Sequence, residues 1–352
     1  MTLTEIAKYR QINHQLTDTK IKSATEMLEW FGAVQGQEYA QTKWGLGLRL
    51  SQQTDNDIEK ELNEGKILRT HLLRPTWHFV SAKDIHWLLN LTAPRVSQAN
   101  AYMYRQLCLD DKVISRCNAI LINTLQGGKN LKRDDINKEF EKHQIIAKGH
   151  RLSYIMMNAE LEGIICSGVR QGNQFTYALL DERVPYNKMP EKEEALAELT
   201  SRYFKSRGPA TIKDFATWSG LTITDCKKGI EMINTFLQKE VIDGQEYYFN
   251  TIPSLLRKPL KRIYLLPIYD EFIMGYKDRN AIMALKENAS FLYDSMIVYD
   301  GQVIGTWKRS ILKNSIDLEY DFFKHLNKNQ NKGFDEAINH FSEFMNLRNN
   351  RL

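Results

Sequence analysis

The stretch Thr211-Ile212-Lys213-Asp214-Phe215-Ala216-Thr217-Trp218-Ser219-Gly220-Leu221-Thr222-Ile223-Thr224-Asp225 carries two hydroxyl-x-x-carboxylate starts, Thr211 to Asp214 and Thr222 to Asp225, eleven residues apart. In each, the hydroxyl accepts the third backbone N–H of a helix while the carboxylate reaches back to the hydroxyl residue's own backbone N–H, so each marks a helix N-terminus. Ser219-Gly220-Leu221 leaves room only for a tight turn. The spacing predicts a helix-turn-helix whose second helix runs over 223–233. Two strand-like runs follow, 236–242 and 245–249, joined by Asp243-Gly244, the dipeptide favoured in two-residue hairpin turns. Helix, helix, hairpin is the order of a winged helix.

The same order occurs twice upstream. Between Leu131 and Leu180 the pattern predicts helices over 133–141 and 150–162, then strands over 164–169 and 174–180. Nearer the start, helices follow Thr2, Ser23 and Thr54, and Gly65 stops the third. The period then changes from 3.6 to 2 over 67–80, with Arg74-Pro75 as a turn or edge position. In the second limb Trp77 and Phe79 share one face, expected to meet the core, and Thr76 and His78 share the other, expected to be free. Ser81 to Asp84 opens a helical connector that Gly127-Gly128 ends. After about Arg262 short strand-like runs return, with Asp300-Gly301 as a hairpin turn and a last helix over 334–347. The expected fold class is α+β: three tandem winged-helix repeats and a C-terminal β-barrel-like domain closed by a helix. The segments are 1–110, 111–185, 186–255 and 256–352, with a polar linker over 185–194.

Composition narrows the class. The chain has 352 residues, 42% of them hydrophobic and 26% charged, as in ordinary globular proteins. Its 48 Lys and Arg against 43 Asp and Glu give a charge of +5, which permits a polyanionic partner without requiring one. No run is apolar enough to span a bilayer, and the first residues lack the order of a signal peptide, so no membrane association and a cytoplasmic location are expected. Cys108, Cys117, Cys166 and Cys226 are scattered with no C-x-x-C, which speaks against a zinc site or disulfide framework.

No G-x-S-x-G, P-loop or dinucleotide fingerprint is present. What stands out is Val34-Gln35-Gly36-Gln37, between the apolar run that ends at Val34 and a helix carrying Trp44, Leu46 and Leu48. An amide has no useful pKa, so neither glutamine is a general base. A pair of amides can instead hold a water and turn a dipole toward a developing cation. A Gln-x-Gln pair at a helix end is also ordinarily a solvated terminus. Arg69, Thr70, Arg74, Thr76 and His78 gather on the first hairpin, where the arginines could pair phosphates, and the bland alternative is a solvated strand face. Lys148 and Arg151, with Arg170 on the wing, make the middle repeat the more basic one; the helix 223–233 balances Lys227 and Lys228 against Asp225 and Glu231. Arg279 ends a polar loop, and Trp307-Lys308-Arg309 sets two cations beside an aromatic ring, suited to a phosphate or a stacked base.

Taken in order, Val34 to Gln37, Arg69-Thr70-His71 through Arg74-Pro75-Thr76-Trp77-His78, Leu265-Leu266-Pro267-Ile268-Tyr269-Asp270 with Lys277-Asp278-Arg279, and Gly305-Thr306-Trp307 resemble the winged-helix DNA glycosylases typified by AlkZ and YcaQ. The resemblance runs from about residue 20 to 320. It implies tandem winged helices bent around double-stranded DNA and a monofunctional, metal-independent N-glycosyl hydrolase. This enzyme would excise N7- or N3-alkylated purines, act on interstrand crosslinks, need no cofactor and work as a monomer in base excision repair. Gln35 and Gln37 become the catalytic pair of the Gln-x-Gln branch. A non-enzymatic winged-helix DNA-binding protein or regulator is the second reading of the same repeats, and a protein-binding scaffold a third.

Overall fold

The computed structural model describes residues 1–17, 19–186, 189–250, 261–283, 293–312 and 315–349. Two compact units emerge. The first is Met1–Glu59, Ala197–Trp218 and Thr222–Leu352; the second is Lys60–Leu196 with Ser219–Leu221. This grouping is coarser than four consecutive segments and is not contiguous in sequence. The expected boundary at 255/256 and part of the linker (187–188) lie outside the described residues.

In the first unit the local signals set the helix starts. Thr2 and Glu5 form a complete capping box on the helix Leu3–Asn13. Thr211 Oγ1 accepts from Asp214 N at 3.1 Å while Asp214 Oδ2 accepts from Thr211 N at 2.9 Å, and Thr222 Oγ1 accepts from Asp225 N at 3.0 Å. The helices Ile212–Ser219 and Ile223–Met232 result, followed by the hairpin Gln238–Ile242 and Gln245–Phe249. Asp243 and Gly244 both have positive φ, 48° and 76°, as a type I′ turn requires.

The C-terminal strands form one open antiparallel sheet with a short parallel strand at one edge. Its order is Arg348–Asn349, Ser315–Phe322, Gln302–Ile311, Ser295–Tyr299, Ile263–Leu266. The expected barrel is corrected here: the two outer strands do not pair with each other, so the sheet never closes. The helix Lys328–Met345 covers it instead, burying Phe334, Ile338, Phe341 and Phe344.

Trp44 ties the helix Tyr39–Gly47 to this layer. Its Nε1 donates to Leu265 O at 2.7 Å, and its ring meets Phe341 and Phe344 at centroid distances of 4.9 and 5.2 Å. Gly47 makes the approach possible, because a Cβ there would lie 2.1 Å from Phe344 Cε2. Gly47→Ala is therefore expected to cost about 1–3 kcal/mol by overpacking, read as a lowered urea midpoint. A midpoint at or above wild type would show that the two helices can part without loss.

The second unit holds the hairpin Ile67–Leu72 and Arg74–Ser81, the helices Ile85–Gln106, Asp111–Leu125, Arg133–Lys142 and His150–Leu161, and a small sheet of Leu131–Lys132, Thr176–Leu179 and Ile165–Ser167. Cys117, Leu121, Phe140, Ile155 and Ile165 centre its core. The hairpin turns at Leu73, with φ of 59°, and Arg74-Pro75 opens the second strand. Its expected free polar face is also corrected. His78 pairs across the strands with Thr70, and both are fully buried. His71 is buried too, with Nδ1 against Glu160 Oε2.

Candidate active site

Gln35 lies in the first unit, in the short strand Val34–Gln35 that follows the helix Ala24–Phe31. Its backbone is pinned from both sides. Glu271 Oε1 accepts its N–H at 2.9 Å, and Thr42 Oγ1, sharing its one proton with Glu38 O, donates to its carbonyl at 3.0 Å. Glu271 is itself held, its Oε2 accepting from Arg207 Nη2 at 2.7 Å, Arg207 Nε at 3.1 Å and Trp218 Nε1 at 2.9 Å. Arg207 also donates to Phe31 O at 2.8 Å and Ala33 O at 3.0 Å, so one guanidinium clamps the chain entering Gln35.

The neighbouring carboxylate is paired in the same manner. Asp270 receives Arg49 as a two-pronged pair, at 2.8 and 2.7 Å, and caps the short helix Glu271–Met274 through Phe272 N at 2.9 Å. Arg49 Nε donates to His14 O at 2.8 Å. All four charged groups are buried. Buried charges of this kind persist only when paired and hydrogen-bonded, and these two pairs cancel.

Between these pairs lies a cavity of about 20 Å³, lined by Gln35, Thr42, Arg49, Asp270 and Glu271 with Phe31, Val34, Gly45, Leu46, Pro267, Ile268 and Tyr269. A space of about that size admits a single water. Gly45 lets the helix come close, since a Cβ there would stand 3.2 Å from Pro267 Cγ and 3.3 Å from Asp270 Oδ2. Gln37, two residues on, is half-buried in the bend before Tyr39 and does not line the cavity.

Histidines near the site are neutral for a physical reason. Tyr276 Oη donates its proton to Arg207 O at 2.7 Å, so His14 Nε2, 2.8 Å from that hydroxyl oxygen, must donate to it. Burial, then Arg49, Arg207 and Arg10, hold His14 well below its ordinary value of 6.5. His340, packed on Trp44, is pushed down to about 4 by burial and then Arg262. Between the folded and unfolded values only the unfolded chain takes up these protons. The contribution of these two groups is thus fully present above about pH 6.5 and falls as pH drops below it, by roughly 1 kcal/mol per pH unit for each histidine. Urea unfolding at pH 7.5 and 5.5 measures the slope, and His340→Leu is expected to remove one histidine's share. A slope unchanged in that variant would count against the assignment.

The other expected contact residues are dispersed. Arg69 is half-buried, its guanidinium 4.2 Å above the Trp77 ring and 4.9 Å from Phe175. Arg74 and Thr76 are half-buried, and Thr76 O accepts from His78 Nδ1 at 2.9 Å. Lys148 is exposed, and Arg151 donates to Leu107 O. Arg279 donates to Ile273 O at 3.0 Å, and burial lowers its pKa, as it does for Arg309. Lys308 is exposed. Trp307 is corrected: it is buried, donating to Leu266 O at 2.8 Å, and has no face for a base. Thr70 and His78, equally buried, have no exposed face for a phosphate or a base. Arg49, Arg207, Glu271 and Tyr269 were not singled out from the sequence, although Leu265 to Asp270 pointed to their neighbourhood. Among the described residues, no group of three or more His, Cys, Asp or Glu is placed to hold a metal ion. No helix among them is long and apolar enough to cross a membrane.

A family model described as DNA glycosylase AlkZ-like matches residues 28–344, which takes in Gln35 and every other lining residue of the cavity. The chain belongs to the AlkZ-like DNA glycosylase family. A relative from Streptomyces sahachiroi, named "Interstrand DNA cross-link repair glycosylase", is 22% identical over 312 residues, 81% of this chain and 82% of its own length. The solved structure of Streptomyces sahachiroi DNA glycosylase AlkZ matches with a TM-score of 0.79 at 20% identity, covering 99% of this chain and 98% of that one. That likeness establishes the α+β fold. AlkZ-like membership makes the protein a DNA-repair glycosylase with DNA as its substrate.

Proposed function

We propose that the protein hydrolyses the N-glycosidic bond of N7- and N3-alkylated purines in double-stranded DNA, with Gln35 and Gln37 as the catalytic pair. The carrying observation is that Gln35, fixed through both its backbone N–H and carbonyl, borders a cavity of one-water size in which both carboxylates are already paired. An N7-alkylated purine is cationic, so its leaving needs no acid. The C1′–N bond breaks with its electron pair going to the base, which departs neutral. Water adds through oxygen to the oxocarbenium-like sugar and releases its proton to solvent. Gln35 holds that water and turns its amide dipole to the sugar, and Gln37 completes the pair from the turn.

The relative's printed name supports interstrand crosslinks as further substrates, since a crosslink between alkylated purines contains the same bond. In this reading the three helix-helix-hairpin segments act as winged helices on DNA. Arg69, Arg74, Thr76, Lys148, Arg151, Arg279, Lys308 and Arg309 supply backbone contacts. The test is incubation of the protein with an N7-methylguanine duplex in EDTA. Release of free base, with strand breakage only after alkali, is expected of a monofunctional, metal-independent glycosylase. No base release would refute the proposal.

A further inference from the structure

Of the twelve residues around the cavity, ten are buried; only Ile268 and Tyr269 are partly exposed, so these two form its mouth. The interior is too small for a purine. A base whose glycosidic bond is attacked from that cavity therefore has to lie at the mouth.

Tyr269 is held there against its backbone preference. Asp270 N donates to Pro267 O at 3.2 Å, closing a turn in which Tyr269, the third residue, has φ of 61° while Ile268 does not have positive φ. That is the pattern of a type II turn, whose third position favours Gly or Asn. A tyrosine in the left-handed region is strained by roughly 1 kcal/mol or more and persists only where its surroundings over-determine it. They do so here. Residues 270 and 271 are locked by Arg49 and Arg207, so the turn cannot relax. Tyr293, exposed and outside the cavity lining, stands beside Tyr269 edge to face, with ring centroids 6.5 Å apart.

Resting on the function proposed above, we propose that Tyr269 is a specificity-determining residue that stacks its ring on the damaged base. An electron-rich phenol face attracts the positive charge of an N-alkylated purine and offers a neutral base less, so the ring adds selection for the cationic lesion. The strain is kept because the side chain is used.

Single-turnover excision of N7-methylguanine by Tyr269→Phe, Tyr269→Leu and Tyr269→Asn, with thermal unfolding of each, tests this. Phe keeps the ring and should stay within about threefold of wild type, whereas Leu and Asn should be slowed about tenfold, the scale of a cation–ring contact. Asn suits the turn, so its melting temperature should equal or exceed wild type's. Wild-type rates in Leu and Asn overturn the assignment, and so does an Asn variant whose lost activity follows a lost fold. An inactive wild-type chain is a different result: it refutes the proposed function, and this residue's role with it.

Discussion

Gln35→Ala should slow release of N7-methylguanine by about 10²–10³, the loss typical when one preorganised dipole is removed from a dry site. The reason lies in its mounting. The segment through Gln35 is clamped by Arg207 at Phe31 and Ala33, by Glu271 at its own N–H and by Thr42 at its carbonyl. The backbone that carries its amide is thus fixed before substrate arrives. Truncation leaves that backbone in place and deletes only the dipole, so the variant should unfold within about 1–2 kcal/mol of wild type while losing its rate. Gln37→Ala should lose less, because Gln37 sits outside the cavity lining. Full activity in both variants would reject the assigned pair.

Glu271→Gln carries the largest expected loss of stability. The substitution keeps the shape but leaves the fully buried Arg207 without its anion, and an uncompensated buried charge costs about 3–5 kcal/mol. It also weakens the acceptor set that Arg207, Trp218 and Gln35 share. Urea unfolding should show the loss, and excision should fall with it because Gln35 loses its anchor. Removing the charge on both sides, Arg207→Met with Glu271→Gln, should recover part of the stability, since no charge is then stranded. A single variant within about 1 kcal/mol of wild type would show that the pair is not what holds the Gln35 segment.

Gln35 was picked out as a proposed catalytic residue because its neighbours in order, from Val34 to Gln37 and from Leu265 to Asp270, form a pattern that resembles a known family. Arg207 and Glu271 were not, because a buried arginine and a surface arginine look alike in one sequence. Trp307 shows the reverse error. An aromatic followed by Lys308-Arg309 read as a stacking face, but in the strand Gln302–Ile311 the buried positions alternate, and Trp307 falls on the covered side. The open sheet was missed for a similar reason: strand runs and hairpin turns look the same in a barrel and in a sheet closed over by a helix.

By itself the amino-acid sequence determined the helix starts at Thr2, Thr211 and Thr222, the hairpin turns at Asp243-Gly244 and Asp300-Gly301, and the helix-helix-hairpin order. Each depends on atoms only a few residues apart, so local chemistry suffices. The tertiary structure alone decided that Glu271 meets Gln35 and Arg207, that Arg49 meets Asp270, and that Tyr269 stands at the mouth of the cavity between them. Those contacts join residues up to 236 positions apart, and desolvation makes their pairing obligatory only once the chain has brought them together.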